Sequence, residues 1–467
     1  MKYSAVFLFI FLSCSPANTK TMSMIDLLNV PSVRDGQLSP NGKQMLFVKS
    51  QADWKANKNL SSIWYSPING GPSIQISSDI ADAKSPRWSP DGNSILFISK
   101  RGKNNVNQIY VMSTSGGEAQ RLTNHATDIS NAEWSIDGND IFFLAPQEKS
   151  KADQDSEILQ DDIYKFEQNY KQKHMWKISV EQGHETRITY GDFSVTRYKQ
   201  SMDGKKIIHH RGPSPLLDAA LENEIWIMER DGTDTKRVTN NKSPEDNAEL
   251  SPDNNTVLFL SWADENDIPY YETNLFLISA SGGTSRQLLG DFDHDIQQAH
   301  WSADGNSIYF KANLGVHNEL FKLNLSSGEI TQLTDGKHTV SIWNYDARQD
   351  HDLMSIKSAH NNGDFWHMAA NDDPKKVTSI YESLNKEYDL PIQDIVHWKG
   401  ADGVEVEGTI FYPNNYNKGE RYPLAVQTHG GPRSSDQWGG LFSTNSYAPV
   451  LTANGYVVLR PNYRGSL

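Results

Sequence analysis

The sequence predicts a mainly β protein: a seven-bladed β-propeller followed by the beginning of an α/β domain. Three observations carry this prediction. The turn motif Ser-x-Asp-Gly, followed by an apolar strand, occurs in six copies, two of them with one Asn substitution, and in one degenerate copy. A second motif, an apolar pair, a turn and a short strand that ends near Thr, follows each copy of the first. Near residue 385 the repeats stop and a different pattern begins.

The turn motif divides the chain into units of similar length. Its serines are 50, 46, 66, 50 and 51 residues apart, and the degenerate copy lies 45 residues further on. Asp bonds the backbone ahead of it and Gly accepts positive φ, so the motif predicts a tight turn between two strands. Units of about 40 to 50 residues with four strands each are typical of a β-propeller. The first motif begins at Leu38, Trp88, Trp134, Gln200, Leu250, Trp301 and Asp346, and the second at Ile63, Ile109, Met175, Ile225, Leu275, Leu320 and Phe365.

The seven units cover residues 24–380. Each contains its four strands in chain order, which predicts a ring closed without a strand shared between the first and last blades. Tryptophans recur near the motifs and are expected to pack blade against blade instead of forming a ligand cage. These tryptophans are Trp64, Trp88, Trp134, Trp176, Trp226, Trp301 and Trp366.

The one long spacing contains an insertion, residues 147–173, that is polar and rich in charge. It is expected to project from the third blade as a loop or short helix. Its acidic residues Glu157, Asp161 and Asp162 are either candidates for lining a substrate entrance or part of a solvated excursion, and the second interpretation is favoured.

Composition excludes several classes of function. Lys and Arg total 44 against 58 Asp and Glu, giving a formal net charge of −14, so no nucleic-acid partner is expected. A single cysteine excludes an intramolecular disulfide and any multi-cysteine metal site. No cofactor is predicted, because the glycine pairs lack the strand–helix context of phosphate loops. The group Asp293, His294, Asp295 and His300 is interpreted as a solvated loop, not as a metal site.

The first 20 residues are interpreted as a signal peptide. An apolar run of eight residues, Ala5 to Leu12, follows Lys2 and is too short to cross a bilayer core of about 30 Å as a helix. Cys14 follows this run at a position that resembles a bacterial lipoprotein signal, so lipidation and simple secretion both stay open. The protein is expected to be exported, periplasmic or extracellular, without a transmembrane span, and lipidation of Cys14 would tether it to a membrane.

Residues 385–467 predict the opening of an α/β sheet. A hairpin turning at Asp402-Gly403 is followed by an apolar strand, a helix and a second apolar strand. The two apolar strands are expected to be parallel and apolar on both faces, as central strands are. Without later strands and helices, one of them is expected to become an exposed hydrophobic edge. The predicted strands are Asp394–Trp398, Val404–Tyr412, Tyr422–Thr428 and Tyr456–Arg460, and the predicted helix is Ser446–Ala453.

Two motifs in this region carry a specific resemblance. The strand that begins at Tyr422 runs into His429-Gly430-Gly431-Pro432, and about thirty residues later the sequence continues Pro461-Asn-Tyr-Arg-Gly-Ser466. After seven such repeats, this combination resembles the prolyl oligopeptidase family of serine peptidases, in its acylaminoacyl-peptidase and dipeptidyl-peptidase-like branch. The propeller part also resembles TolB-type repeats. The resemblance implies an α/β-hydrolase domain, here incomplete, under a propeller that admits short peptides.

The resemblance also implies roles for individual residues. Glycines after a strand let backbone N–H groups approach a substrate carbonyl oxygen, and the family pattern makes the Gly431 N–H one donor of an oxyanion hole. His429 is expected to support that turn. Tyr463 and Arg464 are expected to shape the floor of the substrate site, with structural packing as the alternative.

The sequence departs from the family at the nucleophile. No Gly-x-Ser-x-Gly elbow occurs in the 467 residues, and the chain stops at Leu467, before the serine, aspartate and histidine of the family's triad. The favoured hypothesis is therefore a serine exopeptidase or oligopeptidase for short peptides that is inactive in this form. The alternative is a non-catalytic exported propeller that binds a protein or a small ligand.

Overall fold

The computed structural model describes residues 19–78, 82–102, 105–161, 163, 165–241, 243–262, 273–370, 372–431, 434–442 and 446–467. Seven four-stranded antiparallel sheets follow one another along the chain, and an eighth sheet follows them. The predicted mainly β fold and the count of seven blades are confirmed.

The strands of each blade are consecutive in sequence. Blades one and two contain β1 (Ser32–Leu38), β2 (Gln44–Asp53), β3 (Lys58–Pro67), β4 (Ile74–Gln75), β5 (Lys84–Trp88), β6 (Ser94–Ser99), β7 (Gln108–Ser113) and β8 (Gln120–Arg121). Blades three and four contain β9 (Ser130–Trp134), β10 (Asp140–Pro146), β11 (Lys173–Ser179), β12 (Glu185–Arg187), β13 (Ser194–Gln200), β14 (Lys206–Gly212), β15 (Glu224–Glu229) and β16 (Lys236–Arg237).

Blades five to seven repeat the arrangement. They contain β17 (Glu245–Leu250), β18 (Thr256–Trp262), β19 (Thr273–Ser279), β20 (Arg286–Gln287), β21 (Asp295–Trp301), β22 (Ser307–Asn313), β23 (Asn318–Asn324), β24 (Ile330–Gln332), β25 (Thr339–Asp346), β26 (His351–Ser358), β27 (Asn361–Ala369) and β28 (Lys375–Lys376). Two short helices lie in blade connections, α2 (Lys151–Ile158) in blade three and a 3-10 turn (Asp218–Glu222) in blade four.

The Ser-x-Asp-Gly motif forms the same hydrogen-bonded turn in successive blades. In blade two the Ser89 hydroxyl donates to the Asp91 carboxylate at 2.5 Å and accepts from the Ser94 N–H at 2.9 Å. The Asp91 carboxylate accepts a second bond from the Asn93 N–H at 3.0 Å. The serine and aspartate side chains therefore accept hydrogen bonds from backbone N–H groups for which the turn provides no backbone acceptor. The same pair of serine bonds recurs at Ser39, Ser135, Ser201, Ser251 and Ser302.

The hydroxyl at the end of the second motif holds the outer strand in six of the seven blades. In blade two the Ile109 N–H donates to Thr123 Oγ1 at 2.9 Å. Equivalent bonds are made by Ser77, Thr189, Thr239, Thr334 and Thr378. Blade five has no hydroxyl at this position, and the Leu275 N–H bonds the Asn274 side chain at 2.7 Å instead. The residue that recurs at the end of the second motif therefore forms a hydrogen bond that joins the third strand of a blade to the fourth.

Seven apolar clusters hold the propeller together, one between each pair of neighbouring blades, including blades seven and one. Trp134 and Trp301 are buried in two of them, and their indole N–H groups donate to backbone carbonyls of the preceding blade, at Arg87 and Glu249. Packing of tryptophans between blades is confirmed at these positions. Trp64, Trp88, Trp176 and Trp366 pack at the margins of other clusters.

The ring closes through side chains. Phe47 of blade one and Phe365 of blade seven lie 5.5 Å apart between ring centroids. Every described blade strand pairs within its own blade, so the expected closure without a shared strand is confirmed.

The segment that precedes the first blade packs against the C-terminal part. Helix α1 (Met24–Leu28) places Leu27 in a cluster with Phe411 and Val458. The Lys20 N–H donates to the Glu387 carbonyl, and the Asp389 N–H donates to the Lys20 carbonyl. Leu27 of α1 is buried against the C-terminal part, and the first blade strand begins at Ser32, so the segment from residue 24 to residue 31 leads into the propeller.

The eighth sheet is the α/β sheet predicted beyond residue 385. It contains β29 (Ile392–Lys399), β30 (Glu405–Tyr412), β31 (Leu424–Val426) and β32 (Val457–Asn462), with α3 (Glu382–Glu387) before it and α4 (Ala448–Ala453) between β31 and β32. The strand order is β29-β30-β32-β31, and only β31 and β32 are parallel.

One of the two parallel strands was expected to form an exposed apolar edge, and β31 is that strand. It is three residues long and lies at the edge of the described sheet. Leu424 and Val426 on β31 are each 56% exposed, because no described strand pairs with its outer side. Of the two parallel strands, only β32 lies between two neighbours.

The C-terminal part is joined to blade six by polar contacts. The side-chain amides of Asn318 and Gln437 exchange two hydrogen bonds of 2.9 and 2.7 Å. The Val316 N–H donates to the Glu407 carboxylate at 2.8 Å, and the Trp438 N–H donates to the Val316 carbonyl at 2.7 Å. Gly439 has φ +78°, and a Cβ there would lie 2.6 Å from the Ser358 nitrogen, so only glycine fits this approach.

Asp352 predicts how the stability of the propeller depends on pH. Burial raises the pKa of this carboxyl to about 7, although the Trp343 indole N–H donates to it at 2.7 Å. The folded-state pKa thus lies above the unfolded value of about 4, so the stability that the protonated group contributes is lost as pH rises from about 4 through 7. Asp352→Asn is expected to raise the free energy of unfolding at pH 8 by roughly 2 to 4 kcal/mol and to change it little at pH 4.

Urea unfolding followed by circular dichroism at both pH values measures this difference. Asp372→Asn, an exposed carboxylate paired with Lys375, is the matched control and should change little at either pH. Equal gains from Asp352→Asn at pH 4 and pH 8 would contradict the assignment.

Candidate functional site

The two C-terminal motifs meet because the strands before them are parallel. β31 leads into His429-Gly430-Gly431, and β32 leads into Tyr463-Arg464-Gly465-Ser466. Parallel neighbours end at the same edge of a sheet, which is where open α/β sheets form their sites. Segments about 35 residues apart in sequence therefore form one cluster at this edge.

His429 is held on three sides in this cluster. Its ring stacks on Tyr463, with centroids 4.4 Å apart and planes at 15°. Nε2 lies 2.8 Å from the Ser466 hydroxyl, and Nδ1 lies 3.0 Å from the Gly430 carbonyl oxygen. Both bonds form when Nδ1 carries the proton and donates, while Nε2 accepts from Ser466. The Tyr463 hydroxyl also donates to the His429 carbonyl at 2.9 Å, so both the ring and the backbone are fixed.

The glycines after His429 leave backbone N–H groups accessible. Gly431 has φ +145°, a conformation that side chains disfavour. A Cβ at Gly430 would meet nothing within 4 Å, so this side of the turn is open. Among the residues that the structure describes, the Gly431 N–H has no hydrogen-bond acceptor. This is the geometry that an oxyanion-hole donor requires, while the role itself stays a prediction.

The structure separates Tyr463 from Arg464. Tyr463 contacts the His429 turn, whereas the Arg464 guanidinium binds the Asp402 carboxylate at the tip of the β29–β30 hairpin, where both are exposed. The sequence assigned no role to Ser466, and its bond to His429 was not predicted. The signal available in the sequence was the pair of parallel strands that end together.

A buried polar network fixes the segment that follows the glycine turn. The Arg460 guanidinium binds the Asp436 carboxylate and donates to the Gly440 carbonyl at 3.1 Å. The Asp436 N–H donates to the Asn462 side chain at 2.7 Å, and the Asn462 amide donates back to the Asp436 carbonyl at 3.2 Å. These contacts tie residues 434–440 to β32.

A second concave feature lies on the propeller axis. A cavity of about 530 Å³ opens among the Ser-x-Asp-Gly turns of the blades. The residue two positions before the turn serine, or before Asp346 in blade seven, faces this region in every blade. These residues are Gln37, Arg87, Glu133, Lys199, Glu249, His300 and Asn344. The fixed offset from a recognised motif could have revealed this ring from the sequence.

Charges in the ring alternate and pair between blades. The Glu249 carboxylate lies 2.7 Å from Lys199 Nζ and 3.0 Å from His300 Nδ1. Burial acts to raise the pKa of Glu249, but Lys199 and His300 outweigh it and lower the pKa to about 2. Burial, together with Lys199, lowers the pKa of His300. The axial region is thus a cross-blade ion network.

The remaining candidates lie elsewhere. Glu157, at the end of α2, binds Lys149, and both are exposed, as is Asp161; Asp162 is outside the described residues.

Cys14 and the predicted signal peptide also lie outside the described residues. Within the described ranges, no three His, Cys, Asp or Glu side chains are grouped to hold a metal ion, and His300 belongs to the axial ring. No helix among the described residues is long and apolar enough to span a bilayer.

Comparison with known proteins agrees with this architecture. Residues 30–167 match the TolB beta propeller domain model. The chain is 23% identical over 466 residues to dipeptidyl-peptidase 5 of Porphyromonas gingivalis, covering 94% of this chain and 67% of the relative. It is 25% identical over 287 residues to dipeptidyl-peptidase 5 of Trichophyton equinum, covering 58% of this chain and 39% of that relative. The chain therefore spans between about two fifths and two thirds of the length of these relatives.

A solved structure extends the similarity to the whole fold. The Pyrococcus horikoshii acylaminoacyl peptidase superposes with a TM-score of 0.74 at 18% identity, over 96% of this chain and 67% of that one. The matched region includes the propeller and the α/β sheet that carries both glycine-containing motifs. Taken together, the sequence relatives and this fold make the chain similar to peptidases of the prolyl oligopeptidase family, with a TolB-like propeller.

Proposed function

We propose that this chain is part of a serine peptidase that cleaves short peptides, of the dipeptidyl- or acylaminoacyl-peptidase type. The observation that carries the proposal is the His429-Gly430-Gly431 turn at the end of a parallel strand, in which the Gly431 N–H has no acceptor among the described residues. The names and folds of the relatives support the same class of reaction.

In acyl transfer, the attacked carbonyl oxygen gains negative charge, and backbone donors aimed at it lower the barrier. One such donor typically contributes about 3 to 4 kcal/mol to the activation free energy. We assign this donor to Gly431. The contacts of Tyr463 and Ser466 with His429 hold the strand-to-turn geometry that aims it. The propeller above the sheet limits access to short peptides.

The attacking group is not among these residues. A serine nucleophile needs the strained elbow and an adjacent base, and no Gly-x-Ser-x-Gly occurs in the sequence. Reading the gene beyond codon 467 tests the peptidase proposal. An elbow motif followed by Asp and His supports it, and their absence in all three frames contradicts it.

A second candidate function is binding of a ligand along the propeller axis without catalysis. The charged ring around the axial cavity favours it, because Arg87 and Glu133 supply opposite charges there for a polar ligand. Export through the N-terminal segment, with lipidation of Cys14 as one form of attachment, is proposed for either function.

The 467-residue polypeptide is expected not to react with a fluorophosphonate probe and not to release chromophore from dipeptidyl or acetyl-aminoacyl nitroanilides, because it lacks an activated serine. Mass spectrometry of the treated protein and an absorbance assay measure this. Labelling of any serine, Ser466 included, would contradict the assignment, and an active serine hydrolase run in parallel shows that the reagents work.

The contacts at His429 predict the mobility of the glycine turn. Tyr463→Ala removes the ring stack and the bond to the His429 carbonyl, so amide hydrogen exchange in residues 427–431 should rise about tenfold. Tyr463→Phe keeps the stack and should give a smaller increase. Hydrogen-exchange mass spectrometry measures both.

The control for this experiment is Tyr190→Ala, an exposed tyrosine of blade three, which should leave the turn unchanged. Identical exchange in wild type and Tyr463→Ala would show that Tyr463 does not fix the turn.

A further inference from the structure

A further cavity lies between the propeller and the C-terminal part, and neither the glycine turn nor the axial ring residues line it. It has a volume of about 690 Å³ and is bounded by blades one and seven, by the segment that follows α1, and by Gly440 and Phe442. Leu27, Trp54, Tyr381 and Phe442 contribute apolar and aromatic walls, and Ser341 and Ser355 contribute hydroxyls. Such a mixture of apolar walls and few polar groups is typical of a ligand site.

The charge in this cavity is unbalanced. Asp53 and Lys58 lie opposite each other at the end of the β2–β3 hairpin and carry opposite charges. Lys357, on β26, is the third charged residue of the lining. In the part of the chain that the structure describes, no acceptor lies within hydrogen-bond distance of its Nζ. The lining therefore carries one positive charge without a counter-ion.

Two further cations lie behind this wall. Lys311 on β22 is buried, and its Nζ donates only to the Ser341 carbonyl at 3.3 Å. Arg460 is already neutralised by Asp436. Burial, and then the charge of Arg460, lowers the pKa of Lys357, while burial and Lys357 lower the pKa of Lys311 to about 8. The cost of removing a charge from water is therefore uncompensated at Lys357 and Lys311, because no described carboxylate forms an ion pair with either of them.

Lys311 is buried and Lys357 is half-buried. Burial of an ammonium without a counter-charge is costly, because the lost hydration is not replaced. An anion in the cavity would offset that cost by pairing with Lys357. The hydroxyls of Ser341 and Ser355 on the same wall already donate to the carbonyl oxygens of Ser355 and Gly363, so Lys357 is the donor that the anion would meet. A carboxylate suits the site in size and charge, and the aromatic walls suit the rest of a peptide.

We propose that this cavity binds the carboxylate of a peptide, either its C-terminus or an acidic side chain, in an ion pair with Lys357. The inference rests on the proposed peptidase function for the choice of a peptide, and it adds a substrate preference to that function. Lys311 strengthens the positive potential from behind the wall, and Lys357 makes the contact.

Calorimetric titration of the 467-residue protein with three tripeptides tests the proposal. The probes are Ala-Ala-Ala with a free C-terminus, Ala-Ala-Ala-amide and Ala-Ala-Asp-amide. At least one of the two carboxylate peptides is expected to bind about tenfold or more tightly than Ala-Ala-Ala-amide, and which one does so identifies the source of the carboxylate. Lys357→Met is expected to abolish this preference, Lys357→Arg to retain most of it, and raised salt to weaken it.

Lys375→Met on the same blade is the matched control, because Lys375 is exposed and pairs with Asp372. Near-ultraviolet circular dichroism of each variant confirms that it is folded. A preference unchanged in Lys357→Met, equal binding of all three peptides, or no binding of any peptide would overturn the proposal.

A fourth titration, with sodium acetate, separates this proposal from the proposed function. Binding of acetate that depends on Lys357, with no binding of any peptide, would contradict both the peptide ligand and the peptidase function. Peptide binding that ignores the carboxylate would overturn only the inference about Lys357 and leave the peptidase function standing.

Discussion

The structure depends on one constraint: a blade cannot bury both of its faces by itself. Each four-stranded sheet has apolar side chains on two sides, and each of the seven apolar clusters draws its members from two neighbouring blades. Burial of apolar surface is the main favourable term in folding, so the ring must close for every sheet to gain it. The cluster that unites Phe47 with Phe365 is therefore as necessary as those between blades adjacent in sequence.

Because no strand is shared between blades seven and one, side-chain contacts must close the ring. Besides the Phe47–Phe365 contact, Asn344 donates to the Gly36 carbonyl at 2.6 Å and Gln349 donates to the Ser39 carbonyl at 3.1 Å, both between blades seven and one. The chain on either side of the ring adds a further link. Residues 20–28 and 388–390 meet beside the α/β sheet, so the two ends of the propeller are held together by the part that follows it.

The parallel pairing of β31 with β32 in the α/β sheet creates the candidate site. Because β31 and β32 are parallel, the residues after them lie side by side, and the His429 turn is braced by Tyr463 and Ser466. The packing of this sheet against blades one, six and seven also creates the cavity in which Lys357 lacks a partner. The catalytic proposal therefore depends on strand pairing within the sheet, and the binding proposal depends on how the sheet packs against the propeller.

The sequence by itself determined the architecture, because each blade repeats the same short-range turn and strand motifs. The Ser-x-Asp-Gly turn and the terminal Thr act through hydrogen bonds within a blade, as at Ser89 and Thr123, and such short-range bonds can be predicted from spacing. The same holds for the hairpin at Asp402-Gly403 and for the helix that ends at Asn454. His429 and Gly431 could be singled out from their motif, and the structure adds the contacts that hold them.

Only the tertiary structure decided which distant residues meet. The bond of Ser466 to His429, the turning of Arg464 toward Asp402, and the place of α1 beside the C-terminal sheet all join segments far apart in sequence. The alternating charges at Arg87, Glu133, Lys199 and Glu249 gain their meaning only when the blades are arranged around an axis. Lys357 is one lysine among many in the sequence, and it is distinguished by burial beside other cations, a property of the folded arrangement and not of any local pattern.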